Sequence, residues 1–153
     1  MQKIKALVFI DDFIGTGGSA CKYFEELANE CGELLRNPNL IVFFISVSGF
    51  QEAKTRLEAK LVELNVNVNV HICDPLDESA KVFSDRSKVF SNPRDLEQAK
   101  NVAYKHGSSI AKHDPLGYGD CQAAVVFPDA CPNNTLPILW SDSNGWTPLF
   151  KRQ

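Results

Sequence analysis

Apolar and polar positions alternate along this chain in blocks that change period several times. Ala6 to Ile10 is a short unbroken apolar run and Leu40 to Val47 is another, the pattern of strands covered on both faces. Between them Ala20, Phe24, Leu27, Ala28, Cys31, Leu34 and Leu35 recur at helical spacing, which predicts an amphipathic helix ending before Asn37-Pro38. Gln51 to Leu64 reads as a second helix, with Ala53, Leu57 and Leu61 at four-residue intervals. Val66, Val68, Val70 and Ile72 then alternate with Asn65, Asn67, Asn69 and His71. Strict alternation marks a strand with one wet face, placed near a sheet edge and closed by Asp74-Pro75.

Asp77 to Phe90 carries no clear period. Asn92, Pro93 and Asp95 supply a cap, a first-turn proline and a favourable N-terminal charge, predicting a helix through about Lys112. Ala123 to Phe127 and Leu136 to Trp140 read as two further buried strands separated by a loop rich in proline and asparagine. Strands alternating with helices predict the α/β class: a mostly parallel sheet with helices on both faces, joined by right-handed crossovers. The absence of repeats, linkers and low-complexity tracts points to one domain over residues 1–153.

The junction after the first run, "VFIDDFIGTGGSA", departs from this plain scheme. Asp and Gly are poor strand residues, so the strand is expected to stop at Asp11. In an open α/β sheet, ligands lie beyond the carboxyl ends of the strands. Glycines let the backbone approach a ligand closely, and the N–H groups of a helix start, with the Thr16 and Ser19 hydroxyls, can surround a phosphate. Asp11 and Asp12 would repel that phosphate, so their role is directed at sugar hydroxyls or a divalent cation nearby. The competing reading is a glycine-rich turn that only joins strand to helix.

"LVFIDDFIGTGGSA" resembles the phosphoribosyl-diphosphate (PRPP) motif of type I phosphoribosyltransferases: an apolar strand, two acidic residues, two variable residues and a small-residue loop. That resemblance implies that Asp11 and Asp12 contact the ribose hydroxyls and Mg²⁺, and that Gly15, Thr16, Gly17, Gly18 and Ser19 hold the 5-phosphate. It also implies an incomplete version of the fold, because in that family the motif is preceded by strands carrying the diphosphate loop and by a hood over the nucleobase. The chain is therefore expected to be either part of a longer protein or a pared-down relative without full transferase chemistry. The tail "LGYGDCQAAVVFPDACPNNTLPILW" together with "GWTPLF" resembles the C-terminal region of bacterial phosphoribosyltransferase-like proteins, some of them associated with conflict or defence systems. A nucleotide-sensing module of the same fold is the alternative function. A phosphoacceptor receiver domain, with Asp74 as acceptor, is a third reading, opposed by the GTGGS loop.

Composition narrows the partners. A chain of 153 residues with 44% hydrophobic and 23% charged residues can bury a core without crosslinks. A net charge of −3 with no Lys/Arg cluster points away from nucleic acid and leaves a helix-rich partner or a small molecule open; the family resemblance implies that the small molecule is a phosphoribosyl ligand. Asp11 and Asp12 interrupt the first apolar run too early for a signal peptide or membrane span. Five cysteines without a CxxC pair argue for reduced thiols and a cytoplasmic location. An upstream domain, a partner chain and self-association all stay open.

His71, His106 and His113 are assigned surface or helix-end roles, and no residue is assigned as catalytic. "HDPLGYGDCQ" reads as a lid or a tight connection. "CPNNT" is expected on the same rim as the acid pair, where Asn133 is a ligand-binding candidate for a base edge or sugar, although turn chemistry explains it equally well. Trp140, Trp146 and Phe150 read as core or interface aromatics.

Overall fold

The computed structural model describes residues 4–128 and 130–151. It divides the chain into two compact units, Met1–Leu76 and Asp77–Gln153.

The first unit is a three-stranded parallel sheet in the order β1-β2-β3, built from β1 (Ala6–Ile14), β2 (Ile41–Phe50) and β3 (Val68–Leu76). Helices α1 (Gly18–Leu35) and α2 (Gln51–Glu63) make the crossovers. They pack against each other, and within this unit they share one face of the sheet. Phe24 of α1 anchors that face, meeting the rings of Phe9 and Phe44 edge-on at 5.3 and 5.9 Å. Leu57 and Leu61 of α2 are buried as well. The opposite face keeps Val8, Ile10, Ile41 and Val47 between 47 and 77% exposed. The unbroken apolar runs predicted strands covered on both faces, and at these positions one face stays open because both helices of the unit lie on the other.

Strand β1 does not stop at Asp11. It pairs with β2 through Asp11↔Ser46, Phe13↔Ser48 and Ile14↔Gly49. Backbone pairing is indifferent to side-chain identity, and the burial of Phe13 and Ile14 at the strand end outweighs the weak strand propensity of the two carboxylates. Strand β3 likewise runs through Asp74-Pro75 instead of closing there, with Gly49↔Pro75 in register. A proline is tolerated because β3 is an edge strand, in line with the wet face its alternation predicts.

In the second unit, α3 (Pro93–Ile110) starts as its sequence predicts, with the Asn92 side chain accepting the Arg94 N–H at 3.0 Å. Ala103 on α3 packs with Val82, Phe83, Leu116 and Leu136 to form a core. The two expected C-terminal strands are absent among the described residues. Ala123 alone makes isolated bridges, to Lys81 and to Thr135, and Pro137–Trp140 forms a short helix, α4. Thr135 explains the first difference. Its buried hydroxyl donates to the Val125 carbonyl at 2.6 Å and accepts the Val125 N–H at 3.2 Å, supplying from a side chain what a neighbouring strand would have supplied. Pro137 explains the second, since it brings no N–H to a ladder and suits a first helical turn.

Candidate functional site

The end of β1 and the start of α1 carry the features singled out in the sequence. Asp11 is half-buried and Asp12 exposed, as alternation along a strand requires. Burial foremost, then the hydrogen bond and like charge of Asp12, push the Asp11 carboxyl above its ordinary range. Two carboxylates in this state would be relieved by a cation or by hydroxyl donors.

Phe13 and Ile14 anchor the strand end, and Gly15, Thr16 and Gly17 turn the chain into the helix. Gly17 caps α1 in the left-handed region, at φ 75° and ψ −3°, with no side-chain cap. A left-handed residue followed by the helical Gly18 lets consecutive N–H groups converge on one point, a concavity suited to an anion. Among the described residues the N–H groups of Gly17, Ser19 and Ala20 have no acceptor, and that of Gly18 reaches only the Thr16 hydroxyl at 3.5 Å. Intrahelical bonding begins with Cys21 N–H to the Gly17 carbonyl at 2.9 Å. The 18-residue helix adds the positive end of its dipole at the same place.

Helix α2 supports this turn from below. A Cβ on Gly17 would lie 2.9 Å from the Ala53 carbonyl oxygen, and Arg56 Nη1 donates to the Thr16 carbonyl at 3.3 Å. Neither residue was legible as part of the site. Their i, i+3 spacing marks one helix face but does not say which loop that face meets.

The donor set suits a Mg²⁺ ion delivered on a phosphorylated substrate, which needs only one or two carboxylates besides phosphate oxygens and water. An all-protein metal cage is a different matter, since no group of three or more His, Cys, Asp or Glu side chains converges among the described residues. Asp74, the acceptor of the receiver reading, lies opposite Ser48 in β3 and accepts its hydroxyl at 3.2 Å.

Asn133 belongs to the second unit, and the strand on which its expected rim placement depended is not formed. Its side chain is exposed, while its carbonyl accepts the Tyr118 N–H at 2.9 Å. The adjacent Asn134 is buried and donates to the Tyr118 carbonyl at 3.2 Å. Gly119 N–H bonds Asp114 Oδ1 at 2.8 Å, and Gln122 N–H bonds the Leu116 carbonyl at 2.9 Å, so "HDPLGYGDCQ" has the bonding of a tight connection. The aromatics near the C-terminus are tied down as well, Trp140 Nε1 donating to the Thr135 carbonyl and Trp146 Nε1 to that of Ile138. His71 is exposed on β3, and His106 lies 5.3 Å from the Trp146 ring. All five cysteines are free thiols; two of them are buried. No helix among the described residues is long and apolar enough to cross a membrane.

No curated protein and no solved structure matches the chain. A family model described as PRTase-CE matches residues 1–152. With an α/β fold built on a parallel sheet and a match over nearly its whole length, the chain belongs to the PRTase-CE family and is a phosphoribosyltransferase-like domain.

Proposed function

We propose that this domain binds PRPP or a nucleotide containing ribose 5-phosphate. The observation that carries the reading is the Gly17–Gly18 turn at the start of a long helix after the acid pair, where the Gly17, Ser19 and Ala20 N–H groups have no acceptor among the described residues and that of Gly18 has only the Thr16 hydroxyl at 3.5 Å. In this reading the 5-phosphate sits on the N–H groups from Gly17 to Ser19, with the Thr16 and Ser19 hydroxyls beside it. Asp11 and Asp12 accept hydrogen bonds from the ribose hydroxyls, and Mg²⁺ held by them and by the substrate neutralises diphosphate charge.

These groups grip the ground state. Uniform binding does not by itself accelerate a reaction, and no group has been identified that would hold departing diphosphate, so the proposal is of binding, with turnover left to a separate measurement. Calorimetric titration of the chain with ribose 5-phosphate and with PRPP, with and without Mg²⁺, tests it. Saturable binding that weakens in Asp11→Asn and Asp12→Asn is expected, with no diphosphate release on adding common nucleobases. Absence of heat with both ligands at millimolar concentration would remove the phosphoribosyl reading.

A further inference from the structure

We infer that Arg56 is a positioning residue for the phosphate turn, acting through the Thr16 peptide and not by touching the ligand. This rests on the phosphate reading given above and adds to it a determinant from a different element of the fold.

Three contacts join the turn to α2. Gly17 packs on the backbone of Ala53, close enough that a Cβ would come within 2.9 Å of the carbonyl oxygen and 3.3 Å of Cα. Arg56 Nη1 donates to the Thr16 carbonyl at 3.3 Å. The Cys21 thiol, one turn into α1, donates to the Arg56 carbonyl at 3.9 Å. Ala53 and Arg56 are three residues apart on one helix face, so a single rigid element touches the turn on both sides of its left-handed residue.

The orientation of the Thr16–Gly17 peptide follows. The bond is trans, and in a planar trans peptide the C=O and the following N–H point in opposite directions. Because the Thr16 carbonyl is drawn to Arg56 on α2, the Gly17 N–H faces away from α2. That is the first donor of the concavity, and it has no protein acceptor among the described residues. Without the guanidinium, the Thr16 carbonyl loses its tie to α2, and the Gly17 contact with Ala53 is what still fixes the Thr16–Gly17 peptide against that helix.

Arg56 is also set apart from its neighbours electrostatically. Lys54 pairs with Glu58, and Lys60 with Glu25 and Glu63, whereas Arg56 joins no ion pair among the described residues. Its one polar side-chain contact there is the Thr16 carbonyl, a charge-assisted bond and so stronger than a neutral one.

The test compares wild type, Arg56→Ala and Arg56→Gln by calorimetric titration with ribose 5-phosphate, alongside amide NMR of Gly17 and Gly18. Arg56→Ala is expected to weaken binding about tenfold, the worth of one charge-assisted hydrogen bond. Arg56→Gln, which keeps a neutral amide donor on a side chain two bonds shorter, should recover part of that loss. Without ligand, the Gly17 amide proton should shift in Arg56→Ala and return toward wild type in Arg56→Gln, while a general loss of fold would move amides across α2 as well. Wild-type affinity in Arg56→Ala overturns the inference. So does an Arg56→Gln variant as weak as Arg56→Ala with a loss that fades in high salt, the signature of direct charge attraction to the ligand. If wild type itself fails to bind ribose 5-phosphate, the phosphate reading falls, and the ligand-free Gly17 resonance still decides whether Arg56 sets the peptide: a shift in Arg56→Ala supports it and no shift overturns it.

Discussion

Replacing Gly17 and Gly18 separately by alanine should move stability in opposite directions, although the two residues are adjacent and chemically identical. Gly17 has φ +75°, and its added Cβ would meet backbone atoms of Ala53 at 2.9 and 3.3 Å. The left-handed conformation costs an L-residue about 1–2 kcal/mol, and forcing a methyl against backbone that cannot rotate away adds about 1–3 kcal/mol. Gly17→Ala should therefore lose about 2–5 kcal/mol, a large share of the total for an ordinary domain. Gly18 is helical, and the nearest atom to its Cβ is the Thr16 hydroxyl oxygen at 3.6 Å, an ordinary contact. Gly18→Ala should gain up to about 1 kcal/mol from the lower entropy of the unfolded chain. Urea unfolding followed by far-UV circular dichroism measures both. Gly17→Asn sizes the two contributions separately, because asparagine tolerates the left-handed region but keeps the Cβ, so its midpoint should fall between those of wild type and Gly17→Ala. A Gly17→Ala protein with the wild-type urea midpoint would refute the reasoning, as would a Gly18→Ala protein less stable than wild type.

Thr135→Val should destabilise the second unit by about 1–3 kcal/mol, because it strands the Val125 N–H and C=O that the Thr135 hydroxyl satisfies; thermal unfolding followed by tryptophan fluorescence reads it. Gly107→Ala should be worse tolerated, since its Cβ would fall 2.0 Å from the Pro115 carbonyl oxygen, and little folded protein is expected by size-exclusion chromatography. Burial, against the opposing pull of Lys81, pushes the Cys121 thiol up from 9.0 to about 12. The folded state therefore keeps a proton that the unfolded chain releases, so this contribution to stability is complete below about pH 9 and falls as pH rises toward about 12, by about 1.4 kcal/mol per pH unit. Cys121→Ala should flatten that decline between about pH 9 and 10.5, and an unchanged slope would count against the buried thiol as its source.

Local periodicity was enough to read much of the chain, and the reason is physical. Ala20, Phe24 and Ala28 recur at the spacing that gives a helix one buried side, and α1 buries them. The Asn92-Pro93 cap involves neighbours only, so no distant contact could alter it. The Asp pair and glycine run are likewise contiguous, which makes them legible as a motif before any fold is known.

Other features depended on partners the chain meets only when folded. Strand β1 continues past its carboxylates because β2 offers a ladder up to Ile14↔Gly49, and no property of Asp11 or Asp12 announces that. The apolar run in the tail misleads for the converse reason: Ala123 to Phe127 has strand composition, but in its unit the Thr135 hydroxyl, not an adjacent strand, answers the backbone groups of Val125. For the candidate site, then, the sequence by itself determined which residues stand in line, Asp11 to Ser19, and that glycine occupies the turn. The tertiary structure alone decided that Gly17 is the left-handed residue, that α2 closes over it through Ala53, and that Arg56 holds the Thr16 carbonyl. A local motif is written in neighbouring residues, whereas the direction in which its N–H groups point is set by packing against a helix about forty residues away in the chain, for which local periodicity carries no signal.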